Sequence, residues 1–218
     1  MIKILGKEEY LKYSDLYKEM QNAMDCINYV IDCPWVYDHS NISREDTVLD
    51  VGCGAGGTGL FMATKCKRMI GVDEIDYPQF RETCNKWGIS NARIIKTNAK
   101  ELPFPDEYFD LAVSISALEH STPEIANESV KEVARVLKKG KLLVATVAVS
   151  PDQPAYFPSE SAVVEAFTNG TGMKLVDGTL TGWKWDSDEV RNKHKEFLSV
   201  YTSYQNWLPV GVIVVKER

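Results

Sequence analysis

Thr47-Val48-Leu49-Asp50-Val51-Gly52-Cys53-Gly54-Ala55-Gly56-Gly57 is the stretch on which the reading of this chain turns. Thr47–Val51 has the β-branched and apolar character of a buried strand. The glycines after it let the backbone turn sharply and come close to a ligand before a helix opens near Thr58. Gly52-x-Gly54-x-x-Gly57 matches the dinucleotide-binding pattern, a weak signal when taken alone. Asp50 separates the alternatives. A carboxylate at the end of an apolar strand is costly unless it has a partner. It would repel a pyrophosphate and attract an ammonium group, directly or through water.

Outward from this turn, short β-rich runs alternate with helical ones. Strands are expected at Arg68–Val72, Ala92–Thr97, Asp110–Ile115 and Lys141–Val149. A helix over Tyr77–Trp87 stops at Gly88, and Thr122 with Pro123 opens another that runs to Lys139. Such alternation predicts an α/β fold, a parallel sheet covered by helices on both faces. Upstream, Tyr10, Tyr13, Tyr17, Met20 and Met24 recur at helical spacing, so the first ~30 residues read as helix. Their face is either a core stripe or an aromatic lid over a ligand. Pro34 and the polar run Asp38–Asp46 mark a loop. Downstream, Pro151, Pro154 and Pro158 make an extended loop, followed by a helix over Ser159–Phe167 and strands at Met173–Val176 and Val210–Val215. Between these strands, Trp183–Trp207 carries three of the five tryptophans and a helix from about Ser187 to Tyr204. A connection of that length points to function.

Composition narrows the classes. The 218 residues are 44% hydrophobic and 26% charged, as in an ordinary globular protein, and the net charge of −6 argues against binding to phosphate backbones. No stretch approaches the ~18 consecutive apolar residues of a membrane span. The N-terminus lacks a secretory apolar core. Cys26, Cys33, Cys53, Cys66 and Cys84 never form Cys-x-x-Cys, which argues against a metal knuckle or disulfide framework and for a reducing cytoplasm. In that setting the sequons at Asn41, Asn127 and Asn169 carry no meaning.

Asp50, Gly52, Gly54 and Gly56 resemble motif I of the class I S-adenosylmethionine-dependent methyltransferases, Asp-x-Gly-x-Gly-x-Gly, with Cys53 inside the same loop. Further features fall in the family's order. Ile70-Gly71-Val72-Asp73 ends the second strand with an acid placed to accept both ribose hydroxyls; Glu74, next to it, could serve instead. Asn98-Ala99 followed by Leu102-Pro103-Phe104-Pro105-Asp106 is similar to the family's adenine segment, with Asn98 where an aspartate is usual. An amide there can both accept from and donate to adenine, and Ala99 would add its backbone N–H. The fourth strand leads through Ser116 to Glu119 and His120. In the family this end lines the methionine part of the cofactor, and a histidine often faces the substrate. Arg135–Leu143 resembles the turn into the fifth strand.

The resemblance covers about Thr47–Val149. It implies a Rossmann-like, seven-stranded, mostly parallel sheet with an antiparallel C-terminal strand. It also implies S-adenosylmethionine as cofactor and methyl transfer to a small-molecule acceptor, while the cysteine spacing, charge and hydropathy lead to no expected metal, nucleic acid or membrane partner. His120 is the first candidate for a base or substrate contact and Glu119 the second. The lid reading would add Tyr13, Tyr17, Trp183 and Trp185. The chain is expected to be one domain, with a helical cap over 1–40, a cofactor-binding core over 47–149 and C-terminal strands over 150–218 that include the 183–207 insertion. A cofactor-binding module without turnover, and a nicotinamide-dependent oxidoreductase, are the alternatives. Asp50 and the Leu102–Asp106 stretch fit the oxidoreductase poorly.

Overall fold

Thr47–Val51 lies in the interior of a single sheet. A computed structural model describes residues 1–24, 29–149, 157–177, 180–184, 187–200 and 207–217. The strands are β1 (Ile2–Ile4), β2 (Thr47–Val51), β3 (Arg68–Asp73), β4 (Ala92–Lys96), β5 (Phe109–Ile115), β6 (Leu137–Val149), β7 (Met173–Leu175) and β8 (Leu208–Lys216). The helices are α1 (Lys7–Ala23), α2 (Asp32–His39), α3 (Gly57–Ala63), α4 (Pro78–Trp87), α5 (Pro123–Val136), α6 (Glu160–Thr168) and α7 (Asp188–Leu198), with a 3-10 turn at Leu118–His120.

The sheet order is β1-β8-β6-β5-β2-β3-β4. The five strands β2 to β6 run parallel, and β8 enters antiparallel beside β6. The far edge of β8 is shared end to end by two short strands, β1 at Val210–Val212 and β7 at Val214–Lys216. The resemblance implied seven strands, and the sheet has eight among the described residues. The added one, β1, is three residues with Ile2 and Ile4 buried and Lys3 exposed, too short for a strand signal to stand out from the helix that follows. The chain leaves β2 toward β3 on one side and returns to β5 on the other. This reversal opens a crevice at the carboxyl ends of β2, β3 and β5, where open α/β sheets bind ligands.

Local chemistry accounts for most boundaries. Gly88 ends α4 in the left-handed region at φ 65°, Thr122 Oγ1 accepts the Ile125 N–H at 3.4 Å, and Ser159 Oγ accepts the Ala162 N–H at 3.2 Å. Two expectations fail. Pro34 sits in the first turn of α2 rather than in a loop; proline is tolerated there because that turn's N–H groups have no intrahelical acceptor. Helix α5 ends at Val136, short of Lys139, and β6 starts at once. Its register with β5 jumps from Phe109↔Leu137 to Leu111↔Leu142, so Lys138–Lys141 bulge out around Gly140 at φ 74°.

The upstream stripe proves to be core: Tyr13, Met20 and Met24 are buried, and Tyr13 Oη donates to Asp38 Oδ2 at 2.7 Å, joining α1 to α2. Helix α2 is pinned to β8 by Trp35, whose ring leaves no room for a side chain at Gly211. Trp183 is buried in the main core; Trp185 and 201–206, part of the expected insertion helix, lie outside the described residues. No helix among the described residues is long and apolar enough to cross a membrane.

Candidate cofactor site

Two chambers of about 430 and 280 Å³ open along the crevice and share Gly52, Gly54, Tyr77 and Ser116. The larger is lined by Asp73, Glu74, Asn98, Ala99 and His120, and the smaller by Asp50, Cys53 and Gly56. Every residue singled out for cofactor binding therefore lines a chamber, as does His120, whereas Glu119 does not.

The glycine turn is tied down by its neighbours. The Gly52 and Cys53 N–H groups donate to Val72 O at 2.9 and 3.1 Å. Asp73, at the end of β3, accepts the Gly54 N–H on Oδ2 at 3.0 Å and the Ile75 N–H on Oδ1 at 3.0 Å. One carboxylate thus fixes the turn while facing the larger chamber, and each oxygen keeps a lone pair for a further donor. Gly54 holds φ 51°, and a Cβ placed on it would meet nothing within 4 Å, so its bare backbone faces open space where the chambers join. Glu74 Oε1 accepts from Asn98 Nδ2 at 2.5 Å, while Asn98 Oδ1 accepts the Lys100 N–H at 2.9 Å. The Asn98 amide is partly committed and retains one N–H and one lone pair.

Asp50 is buried against α3, where a Cβ on Gly59 would fall 2.1 Å from its Oδ2. Burial, and then the charge of Asp73, push the Asp50 carboxyl up to about 7. Burial also raises the thiols of Cys53 and Cys33, the latter to about 12, so neither is a nucleophile at neutral pH.

The two catalytic candidates diverge. His120 is exposed on the wall of the larger chamber. Glu119 is buried behind it, with Oε1 accepting the Ala148 N–H at 2.9 Å, and burial drives its carboxyl up to about 8. Ser116 stands between the chambers in the left-handed region at φ 46°, and its hydroxyl donates to Asp32 Oδ1 at 3.1 Å. Sequence reasoning missed Asp32, together with Tyr29, Cys33 and Tyr77, which line the smaller chamber. A signal for Asp32 was present: it is an acid inside the apolar run Tyr29–Val36, the same anomaly that marked Asp50. The lid reading receives no support, because Tyr13, Tyr17 and Trp183 line neither chamber.

Comparison with known proteins places this geometry. A family model described as a methyltransferase domain matches residues 48–140. An uncharacterized methyltransferase of Bacillus subtilis, YcgJ, is 33% identical over 179 residues, covering 77% of this chain and 66% of that protein. The chloroplastic 2-methyl-6-phytyl-1,4-hydroquinone methyltransferase of Arabidopsis thaliana is 31% identical over 67% of this chain and 46% of its own length. This chain thus spans from about half to two thirds of the curated relatives' lengths. The crystal structure of YcgJ superposes with a TM-score of 0.63 at 20% identity, over 86% of this chain and 98% of that one. The chain belongs to the class I S-adenosylmethionine-dependent methyltransferases.

Proposed function

We propose that the protein transfers the sulfonium methyl group of S-adenosylmethionine to a small-molecule acceptor. The observation that carries this reading is Asp73, which holds the glycine turn through Gly54 and still presents acceptor capacity to the larger chamber. The cofactor fits the residues present. A bare-backbone approach at Gly54, a carboxylate at the end of β3 and a buried carboxylate beneath the smaller chamber match a ligand with ribose hydroxyls and an ammonium group.

Asp73, with Glu74 beside it, would hold the ribose. The remaining N–H and lone pair of Asn98, with the Ala99 backbone, would read adenine. Asp50, Gly52, Cys53 and Gly56 would enclose the amino-acid end, and Ser116 would stand at the junction. When bound, the cofactor supplies an already activated methyl group, so the protein's contribution is mainly proximity and alignment. His120 is placed to touch an acceptor in the larger chamber. Glu119, sealed behind it, is not. The four described cysteines are free thiols, which suits a reducing, cytoplasmic setting.

The test is incubation with methyl-labelled S-adenosylmethionine and a panel of small phenols, amines and thiols, following S-adenosylhomocysteine release. Acceptor-dependent release supports the reading; cofactor binding with no turnover on any acceptor would favour a binding module. The fold alone does not decide the reaction: the structure of the cyclase SpnF superposes over 100% of this chain with a TM-score of 0.66 at 16% identity.

A further inference from the structure

Behind Ser116 lies a buried polar cluster drawn from separate elements. Asp32, the first residue of α2, Glu119 in the 3-10 turn and Thr146 on β6 are all buried. They come from three separate elements. Ser116 Oγ donates to Asp32 Oδ1 at 3.1 Å, the Thr146 hydroxyl lies beside the Asp32 carboxylate and favours its ionised form, and Glu119 lies beside Ser116 and feels the charge of Asp32. Two polar atoms there have no hydrogen-bond partner, Glu119 Oε2 and Thr146 Oγ1, in residues exposed by 1% and 0%. Buried polar atoms are almost always satisfied, and leaving one unpaired costs about 1–3 kcal/mol. Ser116 lines both chambers, and a hydroxyl that meets the ligand space while donating to a buried carboxylate behind it is what proton handling requires.

We propose that Ser116 and Asp32 form a proton relay for methyl transfer, with Ser116 as the catalytic hydroxyl and Asp32 the group that holds the proton behind it. The inference rests on the methyltransferase reading and extends it to the acceptor class. In the step, the acceptor's X–H proton passes to Ser116 Oγ while the Ser116 hydroxyl proton passes to Asp32 Oδ1. The electron pair left on X forms the bond to the methyl carbon, and the pair of the broken sulfur–carbon bond stays on sulfur as a neutral thioether. No further reactant is needed. The protonation states suit this direction: burial raises Asp32 only to about 6, leaving it ionised at neutral pH, whereas Glu119, at about 8, stays protonated and does not compete as an anion. Besides Glu119, the titratable group that feels the charge of Asp32 is Cys33, the next residue of its own helix.

The acceptor class follows. The smaller chamber holds the cofactor's amino-acid end, so the acceptor takes the larger one, where Asp73 and Glu74 line the wall, Asp32 lies behind Ser116, and no lysine or arginine is present among the described lining residues. An acceptor entering it carries a removable proton and no negative charge: a phenol, enol or similar hydroxyl rather than a carboxylate or phosphate.

The experiment uses the full chain saturated with S-adenosylhomocysteine and two ring-matched probes, phenol and benzoate, followed by amide NMR shifts and affinity from pH 5 to 7.5. Phenol is expected to shift the amides of Ser116 and His120, which line the larger chamber, and benzoate is not. Its affinity should fall about tenfold from pH 7.5 to 5 as Asp32, titrating near 6, takes up a proton and ceases to accept from Ser116. Asp32→Asn should remove that pH dependence, and Ser116→Ala should weaken phenol at every pH. Failure of wild type to bind S-adenosylhomocysteine would remove the methyltransferase reading itself. With that ligand bound, benzoate binding as well as phenol, absence of phenol binding, or an unchanged pH profile in Asp32→Asn would each overturn the relay. Should Asp32→Asn not fold, a pH-independent phenol affinity in wild type would overturn it as well.

Discussion

Asp50 turns cofactor binding into a proton-release reaction. In the free protein its carboxyl is held up to about 7 by burial and by Asp73. A bound ammonium group nearby favours the ionised form, so the ligand must expel a proton wherever Asp50 still carries one. With a midpoint near 7, about nine in ten molecules are protonated at pH 6 and about one in ten at pH 8. Affinity for S-adenosylhomocysteine is therefore expected to rise with pH, by about tenfold or ~1.4 kcal/mol between pH 6 and 8. Binding at pH 6 should release about 0.9 proton and at pH 8 about 0.1, from the same equilibrium. Calorimetric titration in pairs of buffers with different heats of protonation reads both quantities. Asp50→Asn should flatten the slope. The neighbouring groups that titrate in this range, Asp32 and Glu119, are separated by the same titration in Asp32→Asn and Glu119→Gln. A flat affinity without proton release, or an unchanged slope in Asp50→Asn, would refute the reasoning.

Other substitutions probe the scaffold. Glu119 binds a proton in the native state that it lacks when unfolded between about pH 4.5 and 8, so its contribution to stability is lost as pH rises through that window. Urea midpoints at pH 5 and 8 should show Glu119→Gln gaining on wild type at the higher pH, on the order of a few kcal/mol. Gly211→Ala would place a Cβ within 2.6 Å of two Trp35 ring atoms, and overpacking of this kind costs about 1–3 kcal/mol, or several degrees of Tm. Arg135 donates to Leu102 O at 3.0 Å, Phe104 O at 2.9 Å and Asp106 Oδ1 at 2.7 Å, and pairs with Glu132. Arg135→Ala should speed amide exchange across Leu102–Asp106. Arg135→Lys should not restore it, because one ammonium cannot reproduce the fork.

What could be read in advance was local. The Asp50–Gly57 turn, the cap at Thr122 and the stop at Gly88 depend on residues within a few positions of one another, and the structure has them where their chemistry required. Strand β1 escaped because its meaning lies in Ile2↔Val212, a pairing that three residues cannot announce. Helix α2 escaped because Pro34 reads as a breaker unless the helix start is known, and that start is set by packing of Trp35 on β8. The Ser116–Asp32 bond joins residues 84 positions apart. Its acid was visible as an anomaly in an apolar run, but its partner was not. The stripe of α1 showed hydrophobic periodicity, which indicates burial without saying against what; Tyr13, Met20 and Met24 are buried in the core and Tyr10 and Tyr17 pack partly buried against it.

The central claim is that Asp73 anchors an adenosyl ligand in this crevice. Its most direct test is calorimetric titration of S-adenosylhomocysteine into wild type and Asp73→Ala, with NAD as control. The account predicts binding by wild type, a loss on the order of tenfold to a hundredfold in the variant because hydrogen bonds to a charged group contribute about 1.5–3 kcal/mol, and no binding of NAD. Equal affinity in the two proteins, or NAD bound in place of the adenosyl ligand, would contradict it.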